Sequence, residues 1–493
     1  MMEQLTGVVR NNQEWLEDLC SGHPEIRQIR KEFAAHMQGM HGNGPSPMIV
    51  TGHQPVVYYP GLLFKDHFVG EMAKHIGGSA WNLIVDTDLA DFQIPVPYYD
   101  NGQLHKTLIS IPNPENLAYT SLQLPRQETD HLIQNMDQHL ATLPDSQIKN
   151  AFSRFRQNFY GLLDAGHRFT EALSALRNKQ DATMGHRITD HKISEIVGSY
   201  PYAHYVWYII KHIRDYTSHY NLAVKQGKRK DYQPVKTLHH QDGWYELPFW
   251  LEKDGKRLPV NLYKDQQRLI FRAGETGPEV NLVIAGKDEA SIIEAIRNSV
   301  VLYPKATTLT QVIRLFLSDI FIHGEGAVEY EKVNNTFLRD FFSMKSKGTF
   351  FSVSGDIYLP LMENLPDYEN LQRDYKQKQQ WLKQVDRSPE DHLENGVASQ
   401  YKEKKKEIVR QMSQEESGEQ RRKHHRRLEQ LDEEMKDLLS EKMEQVRKKL
   451  NHYKAILKKK DILYERQYPY FLYPDEWLTR EQFNRNIRAK TQQ

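Results

Sequence analysis

The chain has 493 residues, enough for two to four domains at ~100–200 residues each. Lys and Arg total 66 against 65 Asp and Glu, a net charge of +1, which argues against a nucleic-acid coat or a membrane-surface protein, since both need excess basic residues. The single cysteine, Cys20, excludes an internal disulfide framework and a cysteine-rich zinc site, and no stretch approaches the ~20 apolar residues of a bilayer span.

The first residues lack the basic-then-apolar order of a signal peptide, so the expected setting is the reducing cytoplasm. Residues 10–38 read as one or two helices, with Trp15, Leu16 and Leu19 at helical spacing. A Gly/Pro-rich loop at 41–47 leads into Met48-Ile49-Val50, a short apolar run that reads as a buried strand. A glycine-containing loop, a helix over 62–75 ending at Gly77-Gly78, and a second apolar run, Trp81 to Val85, complete a βαβ unit with parallel strands.

Residues 127–220 read as helical, with amphipathic segments near 147–164, 167–178 and 203–216. From 230 to 285 the pattern is strand-like. Residues 257–263 and 268–271 form an expected hairpin around Lys264-Asp265, and Val280 to Ile284 is expected to return to the parallel sheet. Two helices, 308–322 and 327–342, are expected to be joined by His323-Gly324-Glu325-Gly326 and followed by a strand over 349–353.

The last third changes character. Glu419 to Tyr468 contains no Gly or Pro, about 50 residues, or ~75 Å of helix. Leu428, Leu431, Met435, Leu439, Met443, Val446, Leu450, Tyr453 and Leu457 make one narrow apolar stripe, which needs a partner helix. Tyr368, Leu371, Tyr375, Leu382 and Val385 supply a matching stripe, predicting an antiparallel coiled-coil hairpin of 367–411 against 419–466 with the polar segment 388–420 as its tip. The basic run 421–427 reads as a solvated face, and the aromatic segment 464–473 as docking the chain's return onto the core.

Three polar segments could carry chemistry. Thr51-Gly52-His53-Gln54 ends the first strand, where open α/β sheets bind ligands; His53 suits acid/base work or a phosphate contact, and Lys65 lies near on the following helix. Asp86-Thr87-Asp88 and Asp91 follow the second strand and suit a divalent cation with its nucleotide, or hydrogen bonds to sugar hydroxyls and amines. His323-Gly324-Glu325-Gly326 exposes backbone donors ahead of Glu329 and Tyr330 at a helix start that favours anions. Each also has a plain structural alternative, as a turn or a solvated loop. The adjacent pairs His239-His240 and His424-His425 point their side chains apart, and no metal-ligand set is read from the sequence.

In this order, ahead of a long coil, the three segments resemble the bacillithiol-biosynthesis cysteine-adding enzyme family. That family's first strand ends in a G-Q-Q loop followed by G-P-L-Y, matched here by Gly52-His53-Gln54 and Pro60-Gly61-Leu62-Leu63. Its acidic E-D-H-D cluster is matched by Asp86-Thr87-Asp88-Leu89, and its G-P-G-E-I-x-Y turn by Gly324-Glu325-Gly326-Ala327-Val328-Glu329-Tyr330. The overlap covers 48–95 and 300–355, and the departures at His53, Leu89 and Ala327 fall at the implied pocket.

The resemblance implies an α/β fold: a Rossmann-like parallel core in two halves (1–126 and 286–365), inserted helical and β connecting domains (127–285), a coiled-coil hairpin (366–466) that makes a homodimer, and a C-terminal tail (467–493) docking on the core. It implies a carbon–nitrogen ligase that joins cysteine to the amine of an amino sugar, with ATP and Mg²⁺ as candidate cofactors. His53, Asp88 and Glu325 are the catalytic candidates. Thr51, Gly52, Gln54, Lys65, Asp86, Asp91, His323, Gly324, Gly326, Glu329 and Tyr330 are the substrate-binding candidates. The alternatives are a metal-dependent nucleotide-sugar transferase using Asp86 and Asp88, and a non-catalytic coiled-coil scaffold.

Overall fold

Parallel strands form the centre of the molecule's larger unit. In the computed structural model, which describes residues 2–41, 47–228, 233 and 235–492, the main sheet comprises β1 (Met48–His53), β2 (Ser79–Ile84), β3 (Thr189–Lys192), β4 (Ile320–Gly324), β5 (Phe350–Gly355) and β6 (Ile487–Gln492). Their spatial order is β3-β2-β1-β4-β5-β6. All neighbours are parallel except β6, which closes one edge antiparallel to β5. From β1 the chain adds strands first on one side and then on the other, so the connections diverge between β1 and β4. Most of the loop expected at 41–47 lies outside the described residues.

β1 is central, and Ile49, Val50 and Thr51 are fully buried, which is why its sequence shows an apolar run without alternation. Helix α1 (Pro60–Ile76) follows as expected. Pro60 opens it, where its missing N–H costs nothing, and Gly77 closes it at φ 68° with its N–H bonded to Ala73 O. The predicted βαβ unit is therefore present.

The expected return of Val280–Ile284 to the parallel sheet does not occur. Glu279–Val283 pairs antiparallel with Arg268–Ala273, because the chain reverses tightly between them: Gly277 N donates to Ala273 O at 2.9 Å and Ala273 N to Pro278 O at 3.1 Å. Together with Lys256–Lys264, Trp244–Lys253 and Leu302–Pro304 these strands build a second, wholly antiparallel sheet, which contains the predicted hairpin.

The expected helix over 308–322 is also corrected. Ala306–Val312 is α-helical and Ile313–Leu317 a π turn, but Ile320–Gly324 is strand β4, so His323 stands at a strand end and not in a link between helices. Ile320, Phe321 and Ile322 are buried between β1 and β5, and a short strand covered on both faces cannot be told from a helix by periodicity. Helix α2 (Val328–Phe341) follows. Residues 127–285, expected as an insertion, contribute β3 to the main sheet itself.

Two compact units divide the chain: Met1–Ile357 with Arg466–Gln493, and Tyr358–Glu465. In the larger unit the aromatic segment after Arg466 is buried, and Phe471 stacks on Phe155 with ring centroids 3.6 Å apart. The smaller unit consists mainly of α3 (Tyr368–Arg387), α4 (Asn395–Gln414) and α5 (Gly418–Lys458). Leu431, Met435, Leu439 and Met443, spaced by four, are the buried stripe of α5, and Val385 of α3 packs on Leu439 and Met443. Asp374 accepts from Tyr453 at 2.7 Å, while Lys405 of α4 pairs with Asp432 at 3.0 Å, so α5 runs back along both helices. The segment 388–420, expected as a tip, is largely the helix α4; the chain reverses at 415–417.

Candidate active site

A cavity of about 1210 Å³ opens beyond the carboxyl ends of β1, β2 and β4. Gly52, His53 and Gln54 reach it from β1, Asp88 from the loop after β2, and His323, Gly324, Glu325 and Gly326 from β4 and its loop, with Tyr330 from α2. The three catalytic candidates thus share one wall. Lys65 of α1 also lines it, and its buried ammonium donates to Gly52 O at 2.8 Å. Burial pushes that ammonium down, to about 8.

Asp88 is held on three sides. Gln54 Nε2 donates to Oδ2 at 2.7 Å, Leu89 N donates to Oδ1 at 2.8 Å, and the Arg257 guanidinium pairs with Oδ1. His53 is half-buried, and desolvation together with the Lys65 charge pushes its imidazole down to about 3. Its Nδ1 lies 3.3 Å from Gln54 O, which can only accept, so Nδ1 carries the proton and Nε2 has the open lone pair. A neutral imidazole with a bare Nε2 is a hydrogen-bond acceptor, not an anion-binding cation.

Beneath the β4 loop lies a buried ion pair, Arg314 Nη1 to Glu331 Oε2 at 2.9 Å. His323 Nε2 stands 3.6 Å from the same carboxylate, and its ring is edge-on to Phe321, Tyr330 and Phe350. Burial outweighs the carboxylate's attraction and pushes His323 down to about 4. Glu325 itself is exposed at the cavity rim.

Four of the sequence candidates are absent from this wall. Thr51 is fully buried, and its Oγ1 donates to Ile322 O at 3.0 Å, a lock between β1 and β4. Asp86 accepts from both the backbone N–H and the hydroxyl of Ser194, which start the helix after β3. Glu329 pairs with Lys332 at 3.1 Å. Asp91 is exposed and borders a neighbouring cavity of about 720 Å³ that shares His53, Gln54 and Asp88 with the first. Asp86, Asp88 and Asp91 therefore do not converge as a ligand set for a cation.

Sequence reasoning missed the opposite wall, which comes from the antiparallel sheet. Trp250 lies there with the Arg257 guanidinium 5.5 Å and the Lys305 ammonium 4.9 Å from its ring, and Lys305 also pairs with Glu246 at 2.6 Å. Arg466 adds a further cation, tied to Asp356. The cavity combines fixed cations, an aromatic face, an oriented carboxylate and a neutral imidazole, a set suited to a small ligand bearing both anionic and amine or hydroxyl groups.

A metal-competent group that the sequence reading did not identify lies elsewhere: one donor atom each of His67, Glu71 and His186 fall within 4.8 Å of one another. No protein-family model and no curated protein sequence matches the chain.

Proposed function

We propose that this protein is a carbon–nitrogen ligase that joins the carboxyl group of a cysteine-like amino acid to the amine of an amino sugar, as the bacillithiol-biosynthesis resemblance implies. The single observation carrying the reading is the convergence of His53, Asp88 and Glu325 on one cavity at the point where the sheet's connections diverge. The strand order matches that of a doubly wound Rossmann-like sheet, which supports the core implied by the resemblance.

In this reading the attacking nitrogen forms a bond to the acyl carbon, the activated oxygen leaves, and the displaced proton passes to solvent, while His53 Nε2 accepts a hydrogen bond that orients the amine. Asp88, oriented by Gln54 and Arg257, accepts from the sugar's amine and hydroxyl groups. ATP would supply the activation of the carboxylate; Lys65, Arg257 and Lys305 are the cations lining the cavity that would hold its phosphates. The helical unit that α3, α4 and α5 form is read as the element that joins two copies of the chain. A metal-dependent transferase built on Asp86 and Asp88 is less well supported, because Asp86 is turned onto Ser194 and does not line the cavity with Asp88.

The test is incubation of the full chain with ATP, Mg²⁺, cysteine and a set of amino sugars, with amide products followed by mass spectrometry. Product from one sugar, lost in Asp88→Ala, is expected. Turnover of a sugar nucleotide with no amide product would overturn the reading. A parallel thermal-shift screen reports binding, because a ligand at 100 times its Kd adds about 2.7 kcal/mol of stability.

A further inference from the structure

The helix that carries Lys65 to the cavity presents a second set of polar side chains on a different face. His67 and Glu71 stand four residues apart on α1 and so share one face. His186, in the loop before β3, lies across from them. Its Nε2 is 2.9 Å from His67 Nδ1 and 3.7 Å from Glu71 Oε1. With Zn–N and Zn–O bonds of ~2.0–2.1 Å, a tetrahedral ion needs its donors ~3.3 Å apart, a value these separations bracket.

The surroundings prepare the same three atoms. Asn484 Oδ1 accepts from His67 Nε2 at 2.9 Å, which fixes the tautomer and leaves Nδ1 with its lone pair facing inward. Arg480 Nη2 holds Glu71 Oε2 at 2.8 Å, while Oε1 is buried with no hydrogen-bond partner among the described residues. The two rings satisfy each other through the 2.9 Å contact, in which His186 Nε2 donates to His67 Nδ1, but Glu71 Oε1 stays buried without a partner among the described residues, a cost that an ion replacing the ring-to-ring contact would relieve. Gly70 allows the approach: a Cβ there would stand 2.5 Å from both Cγ and Nδ1 of His186, so the ring lies directly on the helix backbone. A glycine inside a helix costs about 1 kcal/mol relative to alanine, and here it makes room for a ligand.

We propose that His67, Glu71 and His186 bind one divalent transition-metal ion of the zinc type, with a fourth position left for water or a small anion. Two imidazoles and one carboxylate are a donor set of borderline softness with an incomplete tetrahedron, as open zinc sites have. His186 also lines a cleft of about 440 Å³. Bound there, the ion ties α1 to the loop that leads into β3, and through Asn484 and Arg480 to the segment that leads into β6. The site does not depend on the ligase reading.

The experiment uses the full chain, stripped with a chelator and titrated separately with Zn²⁺ and Co²⁺. One equivalent of each is expected, with the visible absorption of four- or five-coordinate Co²⁺ and a rise in Tm on Zn²⁺ addition. His186→Ala is expected to weaken binding at least a hundredfold. Glu71→Gln, which keeps shape and packing, is expected to weaken it at least tenfold and serves where His186→Ala fails to fold. Failure of the stripped wild type to take up either ion overturns the proposal, as does equal uptake by wild type and Glu71→Gln, which would mark adventitious binding at surface histidines.

Discussion

Gln54 Nε2, on the loop after β1, donates a 2.7 Å hydrogen bond to Asp88 Oδ2, on the loop after β2. With the Arg257 pair on the other oxygen, this bond fixes the orientation of the cavity's central carboxylate from two elements that are distant in sequence. Asp88 is partly solvent-accessible, so its removal is expected to cost little stability but much recognition. We predict that Asp88→Ala lowers the affinity for the amine substrate at least tenfold (about 1.4 kcal/mol) while shifting Tm by only a few degrees. Calorimetry of ligand binding beside thermal unfolding checks this; unchanged affinity would remove Asp88 from the site.

A deeper ionic network should behave in the opposite way. Arg177 is almost wholly buried, with Nη1 at 2.9 Å from Asp66 and 3.4 Å from Asp181 and Nη2 paired with Asp190. Burial pushes the Asp66 and Asp181 carboxyls up, which Arg177 opposes. Arg177→Met is expected to cost about 3–5 kcal/mol, since it leaves carboxylates in the interior without their cation. A denaturant midpoint within error of the wild type would show that the network contributes nothing.

The histidines set an acid limit on stability. His53 is pushed down to about 3 and His323 to about 4, each from an ordinary value of 6.5, so the unfolded chain binds more protons than the folded one between those values. Their contribution is full above pH 6.5 and is lost as the pH falls, toward 4 for His323 and toward 3 for His53. His204 has the opposite sign, because Glu25 and Glu32 push it up against its burial. Replacing His323 by Gln removes one depressed group, so the slope of stability against pH between 5 and 6.5 is expected to flatten. Parallel slopes for wild type and His323→Gln in this window would count against a buried neutral His323.

How much of this was legible in sequence depends on where each residue's environment comes from. β1, α1 and β2 were readable because Gly and Pro punctuate short apolar runs, and so were the two polar loops that follow β1 and β2. β4 was not, since Ile320 to Ile322 is too short an apolar run to show a period and its strand geometry is imposed by pairing between β1 and β5. β3, with the sequence Thr-Asp-His-Lys, has no apolar pattern to read and exists through its edge pairing with β2. One signal was present but unread: Asn101-Gly102, both at positive φ (48° and 73°), turns a hairpin of Gln93–Asp100 on Gln103–Ser110. The wall of Trp250, Arg257 and Lys305 left no local trace, because only the packing of the second sheet brings it to the cavity. His67 and Glu71 show helical spacing, but their third partner lies 119 residues from His67.

Gly52 allows a close approach at the floor of the cavity. A Cβ there would stand 2.9 Å from Leu83 O and 3.2 Å from Leu83 Cβ, both on the neighbouring strand β2. The clashing oxygen belongs to a backbone that is paired on both sides, so it cannot swing away as a flexible side chain would. Gly52→Ala is therefore expected to force β1 and β2 apart at the ends that carry His53 and Asp88, at a cost of about 1–3 kcal/mol. The same shift moves Gly52 O, the acceptor for the Lys65 ammonium, and with it the cation that lines the wall. Loss of ligand affinity should then exceed that of a variant of equal instability at a buried position that does not line the cavity, such as Ile148→Ala in the helix Ser146–Asp164. Equal losses in the two variants, measured at matched folded fraction, would show that the glycine serves only the fold and that the cavity tolerates the displacement.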